Sequence, residues 1–248
     1  MVQKIKVGAV SYLNTKPLIY GFEQGMMKDE INLIIDYPSK VAEMLIENKI
    51  DIGLIPVATI SRLKEHYIIS DYCIACDGEV ASVCLFSDVP VGKIKTILLD
   101  YQSKTSVALL RVLLKEYWNI SPELIASHEG YEADIKGATA GLVIGDRAFK
   151  QRHVSAYIYD LGLGWKKMTG LPFVFAVWVS NKKIAPQFTE NFNKANAAGF
   201  NNMQNIISTN TSPDYDLLKY YMTNIKYNFS ANYRVALAAF MQKMMLLN

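Results

Sequence analysis

The residues best suited to chemistry in this chain are Ser11, Asn14 and Thr15, in the stretch Ser11-Tyr12-Leu13-Asn14-Thr15-Lys16-Pro17-Leu18. They follow the apolar run Ile5–Val10, which reads as a short strand, and precede Leu18-Ile19-Tyr20, which opens a helical pattern. A strand that delivers hydroxyl and amide side chains just before a helix start builds a corner suited to an anion. The first N–H groups of a helix lack partners, and its dipole favours negative charge there. Pro17 fits the first turn, where a missing N–H costs nothing. The same residues also suit an ordinary strand–loop–helix joint, so this corner alone does not decide function.

A second corner is Asp100-Tyr101-Gln102-Ser103-Lys104-Thr105-Ser106, between a strand ending at Leu99 and a helix expected over Lys104–Trp118. The hydroxyls of Ser103, Thr105 and Ser106, with the free N–H groups of the first turn, suit one carboxylate. Simple N-capping by Ser103 is the alternative. Gly145-Asp146-Arg147 follows the strand Leu142–Ile144. Gly145 permits close backbone approach, while Asp146 either faces a ligand or pairs with Arg147. Ser82 begins an apolar strand and faces the cleft in a two-lobe arrangement, or is satisfied by neighbouring backbone.

Other chemistry finds little support. His66, His128 and His153 sit in polar contexts without a nucleophile motif and read as surface residues. Cys73 and Cys76 form a C-x-x-C inside an apolar strand, so they point to opposite faces, and no second pair follows at zinc spacing. With Cys84 they read as buried structural thiols. There is no Walker loop, and Gly162-Leu163-Gly164-Trp165 is not a dinucleotide fingerprint. No metal and no cofactor is expected. A net charge of +3 without a Lys/Arg cluster argues against nucleic acid. No run approaches the length of a membrane span, and the N-terminal apolar stretch is too short for a signal peptide. A cytoplasmic location is expected; the oligomeric state is not legible.

The elements that must position these residues repeat. A strand at 5–10, a helix at 16–25, a strand Ile31–Ile35, a helix Lys40–Glu47 capped by Ser39, and a strand Asp51–Ile55 come first. Strands Tyr67–Ala75 and Ala81–Phe86 follow. The order then restarts about 90 residues on, with strand Lys95–Leu99, helix Lys104–Trp118, strand Glu123–Ala126, short helix Glu132–Lys136 and strand Gly141–Ile144. Thr169–Trp178 reads as a loop entering a strongly apolar strand. Helices near 186–208, 213–223 and 230–246 close the chain, and Tyr233, Leu237, Phe240, Met241 and Met244 form a core stripe on the last. Strands alternating with helices imply parallel units and an α/β fold. The expected architecture has two lobes, 1–87 plus 178–248 and 88–177, joined by crossover strands near 82–88 and 174–180. A ligand cleft lies between them.

Taken together, these stretches resemble the chorismate dehydratase family of the futalosine route to menaquinone. The resemblance is carried by Val10–Leu18, the run Asp51-Ile52-Gly53-Leu54-Ile55-Pro56-Val57-Ala58, Ser103–Ser106, Ile144–Ala148 and Thr169–Trp178, in the expected order. It implies a type II periplasmic-binding-protein fold and cofactor-free conversion of chorismate to 3-[(1-carboxyvinyl)oxy]benzoate and water. It also implies that Asn14 and Ser82 are the catalytic asparagine and serine, with Ser87 close to the serine position. Ser11, Val57, Ser103, Thr105, Ser106, Gly145 and Asp146 are the expected substrate-binding positions. Chorismate carries two carboxylates, matching the two anion corners. The sister enzyme 1,4-dihydroxy-6-naphthoate synthase shares the fold, but places a catalytic histidine where this chain has Gly145. A non-catalytic anion-binding or sensor protein of the same fold is the other alternative.

Overall fold

In the computed structural model, which describes residues 4–247, the first apolar run forms strand β1 (Ile5–Val10), buried over its last four residues. A 3-10 turn, Leu13–Thr15, leads into helix α1 (Lys16–Glu23), with Pro17 in its first turn. Strand β2 (Ile31–Asp36), helix α2 (Pro38–Ile46) and strand β3 (Ile52–Pro56) follow. β1 pairs in parallel with both β2 and β3, as helical crossovers between successive strands require. Strand β4 (Tyr67–Cys76) is the last of this run before the chain changes sheets.

The second run comprises β5 (Val83–Ser87), β6 (Thr96–Leu99), α3 (Lys104–Leu113), β7 (Glu123–Ala126), β8 (Thr139–Ile144), α4 (Asp146–Gln151), β9 (Tyr157–Asp160) and α5 (Leu161–Thr169). The chain then returns through β10 (Phe173–Ser180) to α6 (Pro186–Ala197), α7 (Met203–Thr209), α8 (Leu217–Lys219), a π turn at Tyr220–Asn224, β11 (Lys226–Asn228) and α9 (Ala231–Met245). One sheet has the order β11-β4-β10-β3-β1-β2 and the other β7-β6-β8-β5-β9. β10 runs antiparallel between β3 and β4 and is buried along its whole length. Its unbroken apolar sequence is what a strand covered on both faces needs.

Several boundaries differ from expectation for identifiable reasons. By hydrogen bonding, β5 belongs to the second sheet and all of β10 to the first. The chain therefore changes sheets between Cys76 and Val83 and between Asp160 and Phe173, upstream of 87/88 and 177/178. Ser39 does not cap α2: the helix starts at Pro38, and the cap position is Tyr37. The Ser39 N–H, an orphan of the first turn, instead donates to the Gln102 carbonyl of the other half at 3.1 Å. The helix expected over 104–118 is α-helical to Leu113 and a π turn from Leu114 to Trp118. Strand β9 and helix α5 were not legible, because β9 is a four-residue edge strand and α5 carries two glycines. Gly162 is needed there: a β-carbon would stand 2.5 Å from the Cys76 sulfur and 2.7 Å from the Gly78 carbonyl oxygen.

One apolar core runs through both halves, from Val7 to Leu85, Trp165 and Phe240. Trp165, Phe173 and Phe240 pack edge to face, with ring centres 4.8–5.9 Å apart. On α9, Leu237 and Phe240 are buried, with Tyr233, Met241 and Met244 packed beside them. Cys73, Cys76 and Cys84 are free and buried, and burial pushes each thiol up from its ordinary range. His66, His128 and His153 are exposed. No described helix is long and apolar enough to cross a membrane.

Replacing Trp165 by alanine should lower unfolding free energy by about 3–5 kcal/mol. Val154, which is 73% exposed, should tolerate the same change within about 0.5 kcal/mol. Urea denaturation of the two variants checks this; equal losses would contradict the core assignment.

Candidate functional site

The end of β1 delivers Tyr12 and Asn14 to the space between the two sheets. The turn that carries them is tied down by the C-terminal segment. The Tyr221 hydroxyl donates to the Leu13 carbonyl at 3.1 Å, and the Tyr227 hydroxyl to the Asn14 carbonyl at 3.0 Å. The Asn14 side-chain carbonyl accepts from the Thr15 hydroxyl at 3.3 Å.

From the other half come three loops. In the first, Ser103 caps α3: its hydroxyl accepts the Ser106 N–H at 3.1 Å and donates to the Ser106 hydroxyl at 2.9 Å. This loop is organised by Asp100, whose carboxylate accepts the Gln102 N–H at 2.8 Å, the Ile144 N–H at 3.2 Å and the Arg147 guanidinium at 2.6 Å. The Tyr131 hydroxyl lies 2.9 Å from the same carboxylate. Burial pushes the Asp100 carboxyl above the usual range, against the pull of Arg147. Arg147 also donates to Glu132 at 2.6 Å and to the Gln102 side chain at 3.2 Å.

The second loop is the corner after β8. Gly145 has φ +63° and ψ −151°, a conformation open only to glycine. Its N–H donates to the Ser82 carbonyl at 2.8 Å. A β-carbon here would stand 2.9 Å from the Tyr12 ring. The third loop is the tight turn before β5, where the Ser82 N–H donates to the Val80 carbonyl at 2.8 Å. Ala81, at its centre, has φ +65°, a strained value for a residue with a β-carbon. Asp160 holds the strain in place by accepting the Val80 and Ala81 N–H groups at 2.8–3.1 Å, and Arg152 donates to the Ala81 carbonyl at 3.1 Å.

These loops line a cavity between the two sheets. Its polar lining is Tyr12, Asn14, Ser103, Ser106 and the backbone at Gly145. The apolar wall is Val10, Pro38, Pro56, Ile74, Val80, Val83, Ile144, Phe175 and Ala176. None of these lining side chains carries a charge. The halves meet across it through Leu13 N–H to Asp146 at 3.2 Å, Ala58 N–H to the Thr105 hydroxyl at 3.1 Å, and Tyr12 hydroxyl to the Gln102 side chain. These three bonds bridge the cleft. Among the described residues no cluster of three or more His, Cys, Asp or Glu is disposed to hold a metal ion.

The residues expected from the sequence separate into groups. Asn14, Ser103, Ser106 and Gly145 line the cavity together. Ser82 is fully buried in the wall between the lining residues Val80 and Val83, and its hydroxyl accepts from the Tyr220 hydroxyl at 2.7 Å. Thr105 and Asp146 turn their side chains to the cross-cleft bonds just described. Ser11 is exposed and Val57 is buried beside Pro56; neither is part of the lining. The Ser87 hydroxyl is occupied by the Val89 N–H at 3.1 Å. Sequence reasoning gave no role to Tyr12, Phe175, Asp100 or the tyrosines of the tail. The density of tyrosines between 215 and 227 was the available signal for the last.

Comparison with known proteins places this geometry. A family model described as menaquinone biosynthesis matches residues 5–245. A chorismate dehydratase of Thermus thermophilus is 26% identical, covering 94% of this chain and 93% of its own. One from Campylobacter jejuni is also 26% identical, covering 97% and 98%. Among solved structures, an Archaeoglobus fulgidus protein has a TM-score of 0.73 at 15% identity, covering 98% of this chain and 96% of its own. A Candida albicans protein described as having the generic periplasmic binding protein fold scores 0.66 at 13% identity, covering 99% and 91%. The alkanesulfonate-binding protein of Xanthomonas axonopodis scores 0.63 at 14%, covering 99% and 94%. The fold is thus that of the periplasmic binding proteins.

Asp146 supplies a pH test of the bridged cleft. Burial pushes its carboxyl up to about 6, opposed by the Leu13 N–H and Lys16. A carboxyl whose pKa is raised on folding favours the folded state below its unfolded value near 3.9 and loses that contribution as pH rises through about 6. Asp146→Asn should melt with the parent at pH 4 and above it at pH 7. A difference in melting temperature that does not grow over this range would contradict the assignment.

Proposed function

The chain belongs to the menaquinone biosynthesis family, and on that premise we propose that it is a chorismate dehydratase, the activity named for both relatives. The observation that carries the reading is the cavity between the two sheets. It has an amide, two hydroxyls at a helix start and an apolar wall, with no charged side chain. Such a site suits a small unsaturated ring bearing carboxylates.

The chemistry follows from what the lining can and cannot do. Chorismate loses a ring hydrogen and the hydroxyl on the neighbouring carbon. The C–H electron pair becomes a ring double bond, and the hydroxyl leaves with its C–O pair and combines with the proton to form water. The product, 3-[(1-carboxyvinyl)oxy]benzoate, is aromatic, so much of the driving force lies in the substrate. One carboxylate is received at the start of α3, where the Ser106 hydroxyl, which accepts from Ser103 and keeps its own proton, and the first-turn N–H groups not used by the cap are neutral donors. Asn14 is a neutral amide and cannot serve as a base. The proton acceptor is the enolpyruvyl carboxylate of the substrate. Enclosure with few donors raises the basicity of that group, and closure excludes water while fixing the reacting atoms. Asn14 and Ser82 hold the reacting groups by hydrogen bonds.

Incubation with chorismate under ultraviolet detection should show an aromatic ether accumulating without added cofactor. Binding without conversion would favour a sensor or transport role instead. Asn14→Ala should lower kcat by about 100-fold or more while shifting the melting temperature by only a few degrees, because the backbone of the turn keeps its tyrosine anchors. An alanine variant at full activity would overturn the role given to Asn14.

A further inference from the structure

Tyr220 is fully buried behind the cavity, in the π turn Tyr220–Asn224, an irregularity found often at functional sites. The turn aims two successive tyrosines at different halves of the molecule. Tyr221 reaches the Leu13 carbonyl, and Tyr220 reaches the Ser82 hydroxyl at 2.7 Å. A phenol has one proton. Here it is given to Ser82. Ser82 in turn keeps its own proton, for which the described residues offer no acceptor.

We propose that Tyr220 is a positioning residue: its hydroxyl, bonded to Ser82, sets the orientation of that serine as a hydrogen-bonding group towards the substrate. The ring is held independently of the hydroxyl, against Phe149 at 5.0 Å and Tyr221 at 5.6 Å between ring centres. Removing the oxygen alone thus leaves the packing in place but frees the serine to rotate. The inference rests on the dehydratase reading above and adds to it a residue outside the cavity lining.

The test is a double-mutant cycle on chorismate turnover with Tyr220→Phe, Ser82→Ala and the pair. Tyr220→Phe should lower kcat by about 10–100-fold with KM changed less than about threefold, as expected when reacting groups are misplaced without loss of binding. The double variant removes both members of a buried hydrogen bond and leaves neither unsatisfied, so it folds even where the single phenylalanine variant does not. Its kcat should match that of Ser82→Ala within about threefold, because residues that act as a unit are not additive. Full activity in Tyr220→Phe overturns the inference alone. So does a double variant far slower than Ser82→Ala, which would mark a separate structural role. A parent protein that binds but does not convert chorismate overturns the dehydratase reading, and this inference with it.

Discussion

The buried carboxylate of Asp100 is the contact on which the site depends. It gathers backbone N–H groups from two loops, the phenol of Tyr131 and the guanidinium of Arg147. Removing it would release both the start of α3 and the Gly145 corner, and would leave Arg147 without one of its two carboxylate partners. Breaking such a buried pair is far more costly than a surface ion pair. The same arrangement has an electrostatic effect. Arg147 gives its terminal nitrogens to carboxylates and to Gln102 and is not among the residues lining the cavity. The reception of negative charge falls to hydroxyls, an amide and the dipole of α3.

That neutrality bears on catalysis. A lysine or arginine in the lining would hold a carboxylate firmly and suppress its basicity, because an adjacent cation favours the ionised form. A lining of weak donors and apolar walls orients the carboxylate while leaving it able to take a proton. In the proposed reaction the fold contributes enclosure and placement, and the substrate contributes the base. Bonds from Leu13, Ala58 and Ser39 to the opposite half hold the two sides of the cleft in register.

What could be read from the sequence was what lies at junctions of regular elements. Asn14, Ser103, Ser106 and Gly145 stand where a strand ends and a helix begins, and the pattern of apolar and polar residues marks such places. Contacts made by residues distant in sequence were hidden. Asp100 and Arg147 are 47 positions apart, and nothing in either neighbourhood announces the pair. Tyr220 was hidden twice over, since it is 138 positions from Ser82 and lies in a π turn that no helical periodicity describes. Ser39 was misread because a serine before an apolar run resembles a cap, whereas Pro38 sets the helix start one residue earlier. The sheet boundaries were displaced for a related reason. An apolar strand such as β5 reads the same whichever sheet pairs with it.

The central claim, that the substrate supplies its own base inside a neutral cavity, is tested most directly with a chorismate analogue. In it the enolpyruvyl carboxylate is replaced by a carboxamide, and single-turnover aromatisation is followed by ultraviolet absorbance. The account predicts that the analogue binds in the cleft but aromatises at about one-hundredth of the chorismate rate or less, the scale of a lost general base. Aromatisation at a rate comparable to that of chorismate would show that a protein group takes the proton, and would contradict it.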